Sequence, residues 1–215
     1  MALEGTHIRI AIDVKNELGV KNIGQYVSGT IYPDSRYITG VKRSATHNLK
    51  MFDGENYVDD FQKGWHMHLL CDKIQHATMH ELIPDILICD EENKEWWATI
   101  TAIKTAQDIS DLKHFNIQEY LPYLEYAENP NGEDIKKVRE YNMAVQNLYS
   151  NKGVPSLRDY RSNLVAFGIS EELSSLVIQK TLDFLQNDNI GAQIENMYEK
   201  MLSTLKQILT VKNNA

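Results

Sequence analysis

Histidine is concentrated at one end of this chain. Of its seven histidines, His7, His47, His66, His68, His76 and His80 lie in the first 80 residues, and only His114 lies beyond. Four of them fall in the single stretch Gly64-Trp65-His66-Met67-His68-Leu69-Leu70-Cys71-Asp72-Lys73-Ile74-Gln75-His76-Ala77-Thr78-Met79-His80. Neutral imidazole and carboxylate are the usual ligands of zinc and related divalent ions. The clustering therefore predicts a metal site in the N-terminal part of the chain. The competing reading is a group of surface histidines gathered by chance.

The spacing inside that stretch sorts the histidines. On a helix advancing about 100° per residue, with His68 at zero, Asp72 falls at about 40°, on the face that carries Trp65, Gln75, Met79 and Leu82. Ligands at i and i+4 can share one ion without strain. A carboxylate buried on such a face needs a partner, and metal is one. His66, at about 160°, and His80, at about 120°, point away and read as solvent-facing or capping residues. His76, at about 80°, lies at the edge of the favoured face and could complete a second ion.

Other candidates lie outside that helix. His7 shares an inward stripe with Ala11, Val14 and Leu18. His47 sits in the polar run Ser44-Ala45-Thr46-His47-Asn48. Asp34 follows Pro33, whose fixed φ ends a helix and can aim the next carboxylate in one direction.

Elements of mainly helical pattern must position these groups. Thr6 to Leu18 reads as a helix capped by Thr6, and Lys21 to Ile31 as a second helix stopped by Pro33. Residues 34–56, rich in Ser, Thr, Gly, Asn and Arg, read as a long functional loop. Asp59 to Ile83, Glu91 to Asp111, Gln118 to Ala127, Glu133 to Tyr149 and Leu157 to Phe167 follow as helices. Ser170 caps another, with Glu171 and Glu172 in its first turn. Ile190 to Val211 is the last. The strand-like run Asp85-Ile86-Leu87-Ile88-Cys89 is too isolated to build a sheet. The expected fold is all-α: a multi-helix bundle in one domain over 1–215, with the metal site in 1–110 and helices in 116–212 completing or extending the bundle.

The bulk properties narrow the function classes. At 215 residues and 42% hydrophobic content the chain can bury a real core. A net charge of −8 disfavours a nucleic-acid backbone binder. It does not exclude a nuclease, because bound cations supply positive charge locally. Cys71 and Cys89 do not make a disulfide framework, and they read as reduced, buried thiols of a cytoplasmic protein. The N-terminal residues carry no signal-peptide pattern, and no apolar run reaches the length of a membrane span.

The order of the motifs adds a resemblance. A helical His7, the segment Gly29-Thr30-Ile31-Tyr32-Pro33-Asp34, the loop residue His47, and then Gly64, His68 and Asp72 on a long helix resemble the zinc-dependent phospholipase C and S1/P1 nuclease family over roughly the first 80 residues. That resemblance implies an all-helical fold, a cluster of one to three zinc or similar divalent ions, and hydrolysis of a phosphate ester. It implies that His47, His68 and Asp72 hold one ion and that His7 helps to hold another. Asp34 would lie at the cluster as a ligand or as the catalytic general base on water. A third ion would draw on His76 or His80 with Glu92, Glu95 or Asp108. The expected activity is thus that of a zinc phosphoesterase. Two alternatives are an HD-type phosphohydrolase, for which the adjacent His-Asp pair is missing, and a non-catalytic helical scaffold with a structural His cluster. In the scaffold reading Trp96, Trp97, Tyr120, Tyr123 and Tyr126 could line a partner groove.

Overall fold

The computed structural model describes residues 3–52, 57–84, 93–150 and 153–213, with side chains to residue 210. Among the described residues the regular structure is entirely helical. The α-helices are α1 (Glu4–Asp13), α2 (Ile23–Ile31), α3 (Arg36–Thr39), α4 (Arg43–Thr46), α5 (Asp60–Leu82), α6 (Lys94–Leu112), α7 (Ile135–Tyr149), α8 (Leu157–Ala166), α9 (Glu171–Gln186) and α10 (Asp188–Asn213). The expected all-α bundle is therefore present. The strand-like run 85–89, with Cys89, and the candidate Glu92 lie outside the described residues.

Capping residues set most of the starts. The side chains of Asn22, Asp59, Asn93, Asp134 and Ser170 each accept a hydrogen bond from a backbone N–H in the first turn that follows. Ser156 and Asp159 form a reciprocal capping box at α8. The first helix departs from expectation. It begins at Glu4 and ends at Asp13, with Leu3 at its N-cap. Thr6 lies inside it, where its N–H donates to Asp108 Oδ1 and its hydroxyl to Asp111 Oδ2. Tertiary hydrogen bonds have taken over the donors that a cap would have satisfied.

Two further segments differ. The region after α2 is not an open loop: a 3-10 turn (Tyr32–Ser35), α3, α4 and a second 3-10 turn (Leu49–Phe52) follow in close order. Pro33 ends the α-geometry but fits the first positions of the 3-10 turn. Residues 118–127 form two 3-10 turns, Ile117–Glu119 and Leu121–Glu125, because Pro122 removes a donor in the middle of the run.

Helix α5 is the axis of the molecule. It packs against α1, α2 and α10, with the Leu49–Phe52 turn alongside. Its N-terminal half is buried on almost every side, from Phe61 through Cys71. The contact between α2 and α5 is backbone to backbone. A Cβ at Gly29 would stand 2.0 Å from the Phe61 carbonyl oxygen, and one at Gly64 2.0 Å from the Tyr26 carbonyl oxygen. Asp60, at the start of α5, accepts the N–H groups of Lys21 and Asn22 at 2.8 and 2.6 Å and so ties the two helix starts together. Helix α6 lies against α1, and α9 and α10 close over it.

Candidate metal centre

Five of the six expected ligand residues meet at one place. His7 comes from α1, Asp34 from the 3-10 turn after α2, His47 from the C-terminal cap of α4, and His68 and Asp72 from α5. His7 Nε2 lies 3.7 Å from Asp72 Oδ1. His47 Nε2 lies 3.5 Å from Asp34 Oδ1 and 3.8 Å from Asp72 Oδ2. His68 Nε2 lies 4.0 Å from Asp34 Oδ2 and 3.8 Å from Asp72 Oδ2.

These separations are too long for good hydrogen bonds, whose N–H···O distance centres near about 2.9 Å. They suit donors around an ion: two ligands each about 2.1 Å from one zinc, at a tetrahedral angle, stand about 3.4 Å apart. The atoms fall into two overlapping groups, His7 with His68 and Asp72, and Asp34 with His47 and His68. Among the described residues no other group of three such side chains has this spacing.

The unmatched atoms point the same way. Both nitrogens of His7, both oxygens of Asp34, and Nε2 of His47 and of His68 are buried without a hydrogen bond. Six buried polar atoms left unsatisfied in one spot would be costly, whereas a divalent cation would take them as ligands. His/Asp groups are thus positioned to hold a metal ion.

The neighbours orient these donors. His68 Nδ1 is 2.8 Å from the Thr30 carbonyl oxygen, which can only accept. The proton is therefore on Nδ1, and the Nε2 lone pair faces the carboxylates. The ring of His47 contacts the Thr46 hydroxyl through Nδ1 at 2.8 Å. Trp65 Nε1 donates to the Thr46 carbonyl oxygen at 2.6 Å, which fastens the short α4 segment to α5. Sequence reasoning assigned none of these supporting contacts.

Burial and charge keep the ligands in their binding forms. Burial holds His7 well below its usual pKa, and it lowers His68 to about 4, so both rings are neutral. For the carboxylates burial acts in the opposite direction and is outweighed. The Lys104 ammonium holds Asp72 well below the usual carboxylate range, and the surroundings of Asp34 lower it as well.

Lys104 was missed at the sequence level. Its ammonium, on α6, donates to Asp72 Oδ1 at 2.9 Å and is almost fully buried. A signal existed: it is the sole charged residue between Trp96 and Gln107, in a run of apolar and small side chains. A buried cation there needs an anion opposite it. Arg36 was missed as well; its guanidinium lies 3.9 Å from Asp34 and over the Tyr37 ring.

The remaining candidates lie elsewhere. His76 is exposed, beside the rings of His80 and Trp96, and belongs to neither donor group. His80 is exposed, as expected. His66 is not: it is buried, bonded to the Tyr57 hydroxyl through Nδ1 at 2.5 Å and stacked on Phe52. Glu95 is exposed and paired with Lys180. Asp108 is buried in a separate network, accepting from Thr6 N–H and from the hydroxyls of Tyr149 and Tyr160.

A cavity of about 660 Å³ opens onto the centre, with His47, Asp72 and Lys104 among its lining residues. Arg36, Arg43 and Lys73 add positive charge to its walls, and Trp96 and Trp97 an apolar side. No helix among the described residues is long and apolar enough to cross a membrane. Comparison of the chain with protein-family models, with curated proteins and with solved structures finds no match.

Proposed function

We propose that this chain is a zinc-dependent hydrolase of phosphate esters. One observation carries the reading: three imidazoles and two carboxylates with ligand spacing lie together, and two of them, His47 and Asp72, line a cavity that is rich in cations, although the chain as a whole carries −8. An N/O donor set of this kind suits zinc. Positive side chains around it select an anionic substrate.

His7, His68 and Asp72 would hold one ion, and Asp34 and His47, with His68 between the groups, the same ion or a second. Zinc bound there supplies Lewis acidity, which polarises a phosphoryl oxygen and makes water nucleophilic near neutral pH. The chain's own groups do the rest. Thr30 and Thr46 fix the two rings that face Asp34. Asp34 has a low proton affinity, so its main role is that of ligand and of acceptor that orients water, rather than of strong base. The walls of the cavity hold the ester against the centre and shield it from bulk water.

The test is elemental analysis of the purified protein, followed by turnover of phosphate monoesters and diesters by zinc-loaded and chelator-stripped samples. Stoichiometric zinc with chelator-sensitive hydrolysis is the expected result. Fully loaded protein with no turnover across the panel would overturn the catalytic reading.

A further inference from the structure

The substrate class follows from how charge is distributed around the two carboxylates, and this step rests on the hydrolase reading above. Each candidate ligand carboxylate already has a cation of the chain beside it: Lys104 Nζ lies 2.9 Å from Asp72, and the Arg36 guanidinium 3.9 Å from Asp34. The imidazoles are neutral as ligands. The protein groups of the centre therefore sum to about zero, and the two positive charges of a divalent ion are not consumed by its ligands. An incoming group with two negative charges balances one ion; a group with one does not.

Lys104 is placed to meet that group. Among the described residues its ammonium makes one hydrogen bond, to Asp72 Oδ1, which leaves two N–H groups for a further acceptor on a residue that lines the cavity. Arg43 and Lys73 are exposed at the rim, and Arg36 is held by its own stacking and hydrogen bond to Tyr37. Lys104 is thus a fixed positive charge at the floor, and it does not have to be gathered from solvent when substrate arrives. On one side Trp96 and Trp97 offer an apolar wall, and Trp96 Nε1 is buried without a hydrogen bond. The volume of about 660 Å³ is in the range of sites that hold a small molecule.

We propose that Lys104 anchors the phosphoryl group and that the cavity selects a small phosphomonoester dianion, with an apolar or aromatic leaving group against Trp96 and Trp97, over a phosphodiester. In hydrolysis the ester P–O bond breaks and a P–O bond to water forms. One proton from the water goes to the leaving oxygen, and the products are inorganic phosphate and an alcohol.

Two measurements test this. The first is calorimetric binding of inorganic phosphate to zinc-loaded wild type, Lys104→Gln and Lys104→Arg, with zinc content measured in each. Phosphate should bind the wild type, weaken at least tenfold in K104Q at unchanged zinc content, and recover most of the loss in K104R. Binding in K104Q within twofold of wild type would overturn the assignment. The second uses the wild type alone, so it stands even if K104Q folds poorly or loses zinc: kcat/KM for p-nitrophenyl phosphate against bis-p-nitrophenyl phosphate. A monoester preference of tenfold or more is expected, and a diester preference would overturn the proposal. If neither ester turns over but phosphate binds in a Lys104-dependent way, the hydrolase reading fails and the anion site stands.

Discussion

The rings of His7 and His68 lie face to face, with centroids 4.1 Å apart and planes 8° from parallel. They come from α1 and α5, and both Nε2 atoms stand within 3.8 Å of the Asp72 carboxylate. Near-parallel rings at this separation are an ordinary stacking arrangement, and this one brings both Nε2 atoms to one carboxylate group. Replacing His7 with Ala should therefore lower zinc affinity by at least about tenfold, while far-ultraviolet circular dichroism stays helical. Zinc affinity equal to wild type would take His7 out of the centre.

Removing the metal should destabilise the fold. A ligand at about 100 times its dissociation constant adds about 2.7 kcal/mol to stability. In a chain of this length that corresponds to roughly 5–10 °C in Tm. Stripping with a strong chelator should lower Tm by about that much, and stoichiometric zinc should restore it; identical melting curves would leave the cluster purely structural.

His47 depends on a tether. Trp65→Phe removes the indole donor to Thr46 but keeps most of the apolar bulk. Zinc affinity should fall by about 10–100-fold, the usual effect of losing support behind a ligand. His76→Gln, in contrast, should leave zinc stoichiometry unchanged. Both are read by competition with a chromogenic chelator.

Glu4 gives the metal-free fold a pH dependence of its own. Burial pushes its carboxyl up to about 8, with Tyr141 as hydrogen-bond donor to Oε1 and no partner for Oε2. The folded chain keeps a proton that the unfolded chain has released. The stability from Glu4 is fully present below the unfolded value near 4.5 and is lost as pH rises through about 8. Asp111, raised by burial to about 7, acts in the same direction. Tm of the metal-free protein should fall between pH 6.5 and 8.5, and Glu4→Gln should flatten that slope. A slope unchanged in Glu4→Gln would assign it to other groups.

Gly64→Ala should be among the most damaging single substitutions. Its Cβ would meet backbone, which cannot rotate away, so a cost of about 3 kcal/mol or more is expected. Chemical denaturation reads it directly, and a loss under about 1 kcal/mol would show that α2 and α5 can separate.

How far the sequence discloses these features depends on what each residue answers to. Helix starts set by a local cap, such as Ser170 and Asp59, are legible because the donor and acceptor are three residues apart. Thr6 misleads because its partners, Asp108 and Asp111, are about a hundred residues away. Face geometry places His68 with Asp72, since both follow from one helical repeat. The same geometry fails for His66, because it assumes that α5 has a wet side, and the N-terminal half of α5 has almost none. No single helical repeat brings His7, Asp34 and His47 to that face; they arrive from three other elements, α1, the 3-10 turn after α2 and the end of α4. Lys104 and Arg36 belong to no motif, and only tertiary packing brings them to the carboxylates.

The glycine crossing of α2 and α5 bears on which ions the protein can accept. With backbone against backbone there is no side-chain layer to compress or expand. The Thr30 carbonyl that aims His68 rides on the same crossing, so the His68 nitrogen is held toward the carboxylates before any ion arrives. With His7 and His47 beside it, three of the five donor residues offer nitrogen. Calcium, which takes six to eight oxygens, is poorly served by such a set, whereas zinc takes imidazole and carboxylate together; the kind of donor, more than its spacing, should decide between them.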